Sequence, residues 1–487
     1  MRRRTVVVLL LVVALASSLV TQIVLAGEGG LLSRLWKSSG LASMAGADSL
    51  DEAELDKLLR TYRLIKENYV TPVDDQTLLD GAIQGMVESL EDPHSTYMDP
   101  HSAEQFQDSL ESSFEGIGAQ VIMQNNRVTI LAPIKGSPAE KAGLRVNDQI
   151  LAVNGESLEG LSLTEAVAKI RGPKGSKAEL LVARPGLEEP LKITVIRDEI
   201  PLETVYAEKI GAYGLIQITQ FSLNTAQRFE EELKRLKEQG IKGLVIDVRG
   251  NPGGLLESVV EIADTLLPAK SVIVQVEDKQ GNRELTYSSK RQAVDMPMVI
   301  LVDEGSASAS EILAAALQES GGVPVVGTPT FGKGTVQNTL SLEDGSELKL
   351  TVAKWLTPKG NWVHEKGVKP DYEVKQPDYF TAVPLNPSTT LKREMNTLEV
   401  KNLQMVLKSV GYSPGRDDGY FDQQTENAVK AFQRLSKLPP TGVVNAETAV
   451  RLNQALMERM QDKERDLQLQ TALKLLEKRV EKQETGQ

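Results

Sequence analysis

A serine at the junction of a strand and a helix is the first candidate for chemistry in this sequence. The apolar run Val299–Val302 predicts a strand, and an alanine-rich helix is predicted from Ile312 to Gln318. Small residues join them and place Ser308 at the helix start, where free N–H groups and the helix dipole stabilise developing negative charge. Ser308 is therefore a candidate nucleophile. The alternative is a capping box in which Ser308 and Glu311 only begin the helix.

A lysine between two glycines is the second candidate. Lys333 lies in an extended stretch, and Gln337, four residues later, faces the same side of a strand. Lysine acts as a general base only when it is neutral, which requires burial without a compensating carboxylate. The amide oxygen of Gln337 could orient the amine without favouring its ammonium form. The alternative is a solvent-exposed lysine on a glycine-rich hairpin.

A glycine turn after another apolar strand offers main-chain donors. The segment Gly243–Val248 predicts a buried strand, and the turn after it contains Gly253 and Gly254. The carboxyl ends of strands in open α/β sheets form the ligand crevice. An N–H group of either glycine and that of Ala309 could therefore form a two-donor oxyanion hole. A phosphate-binding loop is not indicated, because neither of the common glycine patterns for it occurs in the sequence.

These three segments resemble the motifs of the carboxyl-terminal processing (tail-specific) protease family. The matching stretches are an N-P-G-G turn from Asn251, a G-[ST]-A-S-A-S-E motif from Gly305 and an F-G-K-G-x-x-Q motif from Phe331. In the family the base follows the nucleophile by 25 positions, and here 333 minus 308 is 25. No departure from the family pattern is visible at these motifs.

The resemblance covers residues 51–376 and implies roles for the candidate residues. It implies Ser308 as the nucleophile, Lys333 as the general base and Gln337 as the residue that positions the base. It also implies hydrolysis through an acyl-enzyme intermediate, without metal or cofactor, near the carboxyl end of protein substrates. Two alternatives stay open: a non-catalytic adaptor for protein tails and wall glycan, and a Ser–Lys hydrolase of wall peptides or amide antibiotics.

Two other serine motifs are not expected to react. Ser413 satisfies G-x-S-x-G, but no buried strand leads into it and a proline follows it, so a turn is predicted. Ser346 and Lys349 satisfy S-x-x-K, but the surrounding residues alternate as in a strand, which points the two side chains to opposite faces.

Composition excludes several classes of function. The 487 residues predict about three domains, and the net charge of −12 without a long basic run argues against a nucleic-acid partner. The absence of cysteine excludes disulfides and thiolate sites. The three histidines, His94, His101 and His364, are too widely separated to suggest a metal site or a histidine-based triad.

The amino terminus predicts export. Three arginines precede the uncharged apolar run from Val6 to Ala26, which is long enough to span a bilayer. Because residues 24–26 also fit a cleavage site, a cleaved signal peptide and a membrane anchor are both possible. The Gly- and Ser-rich residues 27–50 predict a flexible linker. The expected location is the outer face of the cytoplasmic membrane or the cell-wall space.

Two binding modules are indicated by further resemblances. Residues 113–197 resemble a PDZ domain, whose glycine-containing loop binds a peptide carboxylate through main-chain N–H groups. The candidate peptide-binding residues are Gly116, Ile117, Gly118 and, after the helix from Ser162 to Ile170, Arg171. Residues 395–456, with the D-D-G-Y-F stretch from Asp417, resemble a peptidoglycan-binding domain.

The complete prediction is a multidomain α/β protein. The predicted parts after residue 50 are a helical N-terminal region (51–112), the PDZ module (113–197), a protease core with a largely parallel sheet (198–376), a linker (377–394), the wall-binding domain (395–456) and a charged helical tail (457–487). The apolar face of the N-terminal helices predicts a homodimer, and the alternative is that these helices pack on their own core. Apolar residues with 4-3-4 spacing near Leu473 offer a competing interface, although a solvated helix is the more common outcome.

Overall fold

The computed structural model describes residues 52–110, 113–124, 126–134, 136–145, 147–161, 163–185, 187, 189–289 and 294–485. The predicted export segment at residues 6–26 and the linker at 27–50 lie outside these ranges. Within the described ranges, no helix combines the length and the apolarity that a membrane span requires.

The chain contains both helices and short strands. The helices are α1 (Glu52–Asn68), α2 (Asp75–Glu88), α3 (Pro100–Leu110), α4 (Pro138–Lys141), α5 (Leu163–Ile170), α6 (Thr225–Glu238), α7 (Leu256–Leu266), α8 (Ala309–Glu319), α9 (Leu398–Ser409), α10 (Gln423–Leu435), α11 (Ala446–Met460) and α12 (Leu467–Thr485).

The strands are β1 (Thr96–Met98), β2 (Ser113–Gly116), β3 (Ala119–Gln124), β4 (Arg127–Pro133), β5 (Gln149–Val153), β6 (Glu156–Ser157), β7 (Lys177–Ala183), β8 (Leu191–Ile196), β9 (Asp198–Pro201), β10 (Val205–Ile210), β11 (Tyr213–Ile218), β12 (Gly243–Asp247), β13 (Val272–Asp278), β14 (Arg283–Tyr287), β15 (Met298–Val302), β16 (Val325–Gly327), β17 (Thr335–Ser341), β18 (Glu347–Leu356) and β19 (Tyr372–Glu373).

The chain divides into two compact units. The first comprises the described residues within 1–201, 270–289 and 334–364, and the second those within 202–269, 290–333 and 365–487. The segment 198–376, which the sequence predicted to form one protease core, therefore contributes to both units.

The helical pair α1 and α2 of the first unit leaves its apolar face exposed. Asp74 caps α2 by accepting hydrogen bonds from the N–H groups of Gln76 and Thr77 at 3.0 and 3.2 Å. Tyr62 and Lys66 of α1 bind Asp75 of α2 at 2.7 and 2.5 Å. Val87 of α2 is buried, but seven apolar side chains of the pair are 36% to 57% exposed, and they are Leu55, Leu58, Leu59, Leu64, Ile65, Leu79 and Met86.

The predicted PDZ module is an antiparallel sheet closed by a helix. Its strands are ordered β3-β4-β5-β7-β8, with β6 on β5, and α5 contributes Ala166 and Ile170 to the module's core. Among the described residues, β3 pairs only with β4, so its other edge is open. Strand β2 pairs with β9 in a separate two-stranded ladder. The remaining sheet of this unit is also antiparallel, with order β1-β18-β13-β14 and β17 on β18.

The sheet of the second unit is built from strands buried on both faces. Its order is β10-β11-β12-β15-β16-β19, and every residue of β12 and β15 is buried. Such strands are near-continuous apolar runs because helices cover both sides. Within the described part of the chain, the pair β10–β11 is antiparallel and the other four pairings are parallel.

The prediction of a largely parallel sheet for residues 198–376 is not confirmed. Strands β13, β14, β17 and β18 come from the same segment, yet all their pairings are antiparallel. Taken together, the described sheets are mostly antiparallel in a mixed α/β chain. The sequence did not reveal this because β13 and β18 are long, partly buried strands that pair with each other across about 80 residues, as in the pair Gln275–Leu356.

The helical domain formed by α9, α10 and α11 uses two buried glutamines to hold its loops. Gln404 accepts a hydrogen bond from the N–H of Gly419 and donates one to the carbonyl of Tyr420, both at 2.9 Å. Gln433 makes the equivalent pair of bonds with Gly442 and Val443. Because both polar ends of each amide are satisfied, the glutamines can be buried without a large desolvation penalty. The surrounding core includes Leu403, Leu407, Phe421, Val429 and Leu452.

The tail predicted at residues 457–487 is not a solvated helix. Leu469, Ala472 and Leu476 of α12 are at most 1% exposed. They form one apolar cluster with residues of four strands of the sheet, which are Leu215, Val245, Val299, Leu301 and Val326. The stripe near Leu473 is therefore covered within the same chain, and this removes its role as a competing dimer interface.

Candidate active site

Ser308 occupies a strained position between β15 and α8. Its φ of +53° lies in the region that favours glycine, and for a residue with a side chain such a conformation persists only where the surroundings enforce it. The preceding loop is fixed by Ser306, whose hydroxyl donates to the carbonyl of Val248 at 2.8 Å. Ser308 itself is half-buried, and Ala309 after it is the first residue of α8.

The turn after β12 packs directly against this loop through Asn251, which is fully buried. The carbonyl of Asn251 accepts the N–H of Ala307 at 3.0 Å and the hydroxyl of Ser310 at 2.9 Å. Its side-chain amide donates to the carbonyl of Ile218 at 2.9 Å. Asn251 thereby joins three segments of the second unit: the end of β11, its own turn and the loop that carries Ser308.

Gly253 and Gly254 allow the close approach of these segments. A Cβ on Gly253 would lie 2.8 Å from the carbonyl oxygen of Ala307 and 2.9 Å from Cβ of Ser308. A Cβ on Gly254 would lie 2.0 Å from the carbonyl oxygen of Phe221. Both glycines also have positive φ, +107° and +144°, so any side chain would be excluded by conformation as well as by space.

The main-chain donors differ in their availability. The N–H of Gly253 already donates to Oδ1 of Asn251 at 2.8 Å. The N–H of Ala309 belongs to the first turn of α8, where no helical acceptor exists. Among the described residues, no hydrogen bond uses the N–H of Gly254. Gly254 is therefore better placed than Gly253 to serve as the second donor.

Glu311 is the residue that connects the serine and lysine segments. Its carboxylate is fully buried and accepts four hydrogen bonds. Oε2 accepts the N–H of Ser308 at 2.8 Å and the N–H of Lys333 at 2.9 Å. Oε1 accepts the hydroxyl of Thr330 at 2.5 Å and the N–H of Gly332 at 2.7 Å. The capping alternative is thus partly correct, since Glu311 does bind Ser308, but the same oxygen also holds the main chain of Lys333.

Gln337 lies in the first unit, whereas Ser308 and Lys333 lie in the second. Its side-chain amide donates to the hydroxyls of Thr335 at 2.8 Å and Thr351 at 3.1 Å. The hydroxyl of Thr351 in turn donates to Asp92 at 2.6 Å. Because both amide hydrogens are used, the amide oxygen of Gln337 is the atom left to accept a further hydrogen bond.

Of the predicted peptide-binding residues, Gly116 ends β2, which pairs with β9, and Ile117 and Gly118 connect it to β3. The side chain of Ile117 is 3% exposed and belongs to the module's core, so only its main chain is suited to contact a ligand. The guanidinium of Arg171 lies 4.9 Å from the centre of the Phe114 ring. Arg171, with Leu163 and Val167 of α5, lines a cavity of about 640 Å³.

The two excluded serine motifs remain poor candidates. Ser413 is exposed in an irregular segment and precedes Pro414. Ser346 is buried, and its hydroxyl donates to Asp344 at 2.6 Å in the turn before β18.

Four protein-family models match the chain, each over a different part. Residues 212–374 match peptidase family S41, and residues 33–102 match the N-terminal domain of the activating protease CtpB. Residues 129–184 match a PDZ domain, and residues 396–452 match a putative peptidoglycan binding domain. The helix α12 lies outside all four matches.

The fold and these matches define a serine-type peptidase with attached binding modules. The chain is 48% identical to the carboxy-terminal processing protease CtpB of Bacillus subtilis over 90% of its own length and 92% of that protein. It is 43% identical to CtpA of the same organism over 91% and 95%. The photosystem II D1 C-terminal processing protease is 30% identical, with coverage of 65% of this chain and 92% of that chain and a TM-score of 0.40. The chain belongs to the carboxy-terminal processing protease family.

Sequence reasoning missed Asn251 and the full role of Glu311. Both residues stood inside recognised motifs, but their partners come from other segments. The spacing of a capping box accounts for one of the four bonds of Glu311, whereas Thr330, Gly332 and Lys333 lie 19 to 22 positions further on. A glutamate at the start of an alanine-rich helix, which is expected to be buried, was the only indication in the sequence that Glu311 has hydrogen-bond donors in other segments.

Proposed function

We propose that the protein is an exported endopeptidase that cleaves protein substrates near their carboxyl ends by a Ser–Lys mechanism. The shared hydrogen bonding of Ser308 and Lys333 to one oxygen of Glu311 is the observation that carries the proposal. It ties the nucleophile and the base to a common buried anchor, so their relative placement does not depend on flexible side-chain contacts.

The proposed reaction begins with the attack of Ser308 Oγ on the scissile carbonyl carbon. The neutral amine of Lys333 takes the hydroxyl proton and later donates it to the leaving amine, which produces an acyl-enzyme. Water then attacks the ester, again with Lys333 as base, and releases Ser308 and the new carboxylate. The N–H groups of Ala309 and Gly254 stabilise the oxyanion in both steps. The family motif supports Gln337 as the residue that orients Lys333.

Substrate tails are proposed to bind the PDZ module. The open edge of β3 supports this, because an extended peptide can add to it as a further strand. The loop Gly116–Gly118 precedes that edge and supplies N–H groups for a terminal carboxylate. Arg171 provides a positive charge for the same end of the peptide at the adjacent cavity, which Glu104 and Glu115 also line.

The helical domain is proposed to hold the enzyme at peptidoglycan, in keeping with export. A cavity of about 570 Å³ lies between the start of the linker at residues 377–379 and helices α9 and α11. Lys401, Lys408 and Arg459 line it, together with two aspartates. Within the described residues, Nε of Arg459 is buried without a hydrogen-bond partner. This excess of positive charge suits the carboxylates of peptidoglycan stem peptides.

Wall binding is tested by sedimentation with purified, insoluble peptidoglycan. The variant Lys401→Glu/Lys408→Glu should remain in the supernatant, whereas Lys392→Glu/Lys437→Glu, which carries the same charge change outside the cavity, should sediment as the parent does. If both variants sediment as the parent does, the cavity is ruled out as the binding site. If both variants stay in the supernatant, the binding is general electrostatic adsorption.

Catalysis is tested by hydrolysis of a peptide substrate with Ser308→Ala and Lys333→Ala. Each should lower kcat by about a thousandfold or more with the fold retained, and the double variant should lose little more, because the two residues act as one unit. Ser413→Ala and Lys349→Ala, from the two excluded motifs, are matched controls that should keep parental activity. A double variant far weaker than either single variant would disprove the pairing.

A homodimer through α1 and α2 is also proposed. The exposure of their apolar face supports it, because helices so apolar on one side are rarely left uncovered.

A further inference from the structure

The C-terminal helix α12 packs against the sheet whose strands lead into the candidate active site. Its stripe covers Val245 of β12 and Val299 and Leu301 of β15, the two strands that lead into the glycine turn and the serine loop. Residues two apart on β15 face the same side, so α12 covers one entire face of that strand. A segment outside the matched peptidase region thereby completes the core of the protease.

Asp466, immediately before α12, fixes where this helix begins. Its Oδ1 accepts the N–H of Leu469 at 2.9 Å, which caps the helix. Gln376 donates to the same oxygen at 2.6 Å. Asp466 is only 8% exposed, so its carboxylate is held by protein groups rather than by water.

Arg249 connects Asp466 to the turn that carries the candidate oxyanion donors. It lies two residues after the end of β12 and two residues before Asn251. Its guanidinium donates to Asp466 at 2.8 and 3.0 Å and to Gln468 at 3.0 Å. The same group donates to Asp247 at 2.7 and 2.9 Å. Asp247, at the end of β12, is 4% exposed. The guanidinium thus has one set of partners in β12 and one in the C-terminal segment.

We propose that Asp466 and Arg249 are positioning residues for proteolysis, through which the C-terminal segment holds the Gly250–Gly254 turn in its catalytic placement. Neither side chain touches the reacting atoms. They act through the turn whose Gly253 packs against Ser308 and whose Gly254 supplies the proposed second oxyanion donor. The inference rests on the proposed function, since an oxyanion hole matters only if Ser308 is the nucleophile.

The effect should appear in kcat and not in KM. Interactions with an oxyanion strengthen in the transition state, whereas the binding of the substrate tail uses other residues. A displacement of the turn by a fraction of an ångström weakens the oxyanion bonds without blocking substrate binding. An effect that merely reduced the folded fraction would lower the amount of active enzyme and would disappear on correction for folded protein.

The test compares Asp466→Asn with Asp462→Asn in the full chain. Asp462 is the control because it pairs with Arg465 at the surface, four residues earlier. Asp466→Asn should lower kcat per folded molecule by about ten- to a hundredfold with KM within twofold of the parent. Asp462→Asn should leave both unchanged. Arg249→Gln should give a similar fall in kcat. The kcat of the double variant should be no lower than that of the less active single variant.

The outcomes separate this proposal from the proposed function. If the parent protein is inactive, or if Ser308→Ala is as active as the parent, the proposed function fails. If the parent is active and folded Asp466→Asn is equally active, only the positioning role is disproved. A rise in KM with unchanged kcat would also overturn it. If Asp466→Asn does not fold, Gln468→Met removes one bond to Arg249, together with the bond of Gln468 to the carbonyl of Val374, and should lower kcat by about two- to fivefold. Unchanged kcat would again contradict the proposal.

Discussion

The N-terminal pair α1 and α2 and the C-terminal helix α12 carry similar apolar stripes with opposite outcomes. Leu469 and Leu476 of α12 are 1% and 0% exposed, whereas Leu58 and Leu59 of α1 are 50% and 44% exposed. Each stripe is regular enough to require a partner. The difference is that α12 finds its partner in the sheet of its own chain. An apolar stripe therefore predicts burial but does not identify the surface that provides it, and for the N-terminal pair a second chain is the surface that we propose.

The largest effect should come from placing a charge in the covered stripe. Leu476→Asp would bury an unpaired carboxylate against Val299 and Leu301 and should lower the free energy of unfolding by more than about 4 kcal/mol. Leu58→Asp, at the half-exposed position in α1, should change it by less than about 1 kcal/mol in the dissociated chain. Urea unfolding followed by circular dichroism at low protein concentration measures both. Similar losses for the two variants would remove the distinction between the stripes.

The contrast shows what could be predicted from the sequence. The three candidate catalytic motifs were located from local patterns, and the structure places Gly253 against the segment that contains Ser308 and Ala309. Their placement follows from strand ends at one edge of a sheet, a rule that needs no knowledge of distant partners. The bonds of Glu311 to Gly332 and Lys333 could not be predicted, because a carboxylate leaves no periodic trace of its acceptor role.

The docking of α12 and the division of the predicted core escaped prediction for the same reason. The spacing of Leu469, Leu473 and Leu476 fits a coiled coil and a helix packed on a sheet equally well. Likewise, β13 and β18 have ordinary strand patterns that do not specify an antiparallel partner about 80 residues away. Long-range pairing depends on complementary surfaces, which single-segment patterns do not encode.

The oligomeric state is the second way to test the comparison. The mature protein should be a dimer at micromolar concentration, and deletion of residues 51–88 should give a folded monomer of about half the mass by light scattering. The deletion ends before Asp92, so the contact of Asp92 with Thr351 is retained. Leu467→Lys, at an exposed position of α12, is the control and should not change the dimer. A full-length monomer, or a dimer that survives the deletion, would contradict the assignment of the N-terminal face.

The stabilising effect of the ion pair between Asp466 and Arg249 should respond differently to acid from that of the ion pair between Asp75 and Lys66. Burial would raise the pKa of Asp466, but the hydrogen bond and charge of Arg249 outweigh it and hold that pKa below its usual range. A lowered pKa in the folded state stabilises the protein above the unfolded value of about 3.9, and this stabilisation is lost as pH falls through the folded value. Asp466→Asn should therefore cost about 1–3 kcal/mol at pH 7 and progressively less below pH 4.

Asp75 at the N-terminal pair is the matched control. Its hydrogen bonds with Lys66 and Tyr62 also lower its pKa, but the pair is exposed to solvent. Water and salt screen such a pair, so Asp75→Asn should give a smaller change that fades at high ionic strength. Urea unfolding from pH 3 to 7 distinguishes the two. An equal pH dependence for both variants would show that the burial of Asp466 has no special effect.

The smallest effect is expected at the far end of α12. Lys242 and Glu484 form an ion pair at 2.9 Å, but their side chains are 57% and 59% exposed. Such a pair gains little over hydrated, separate charges, because each long side chain must be ordered in a high-dielectric environment. Lys242→Ala should therefore leave the urea midpoint and kcat unchanged. If it weakened the protein as much as Asp466→Asn does, the attachment of α12 would depend on its exposed end rather than on the buried stripe and the Arg249 contact, and the comparison between the covered and uncovered helices would lose its physical basis.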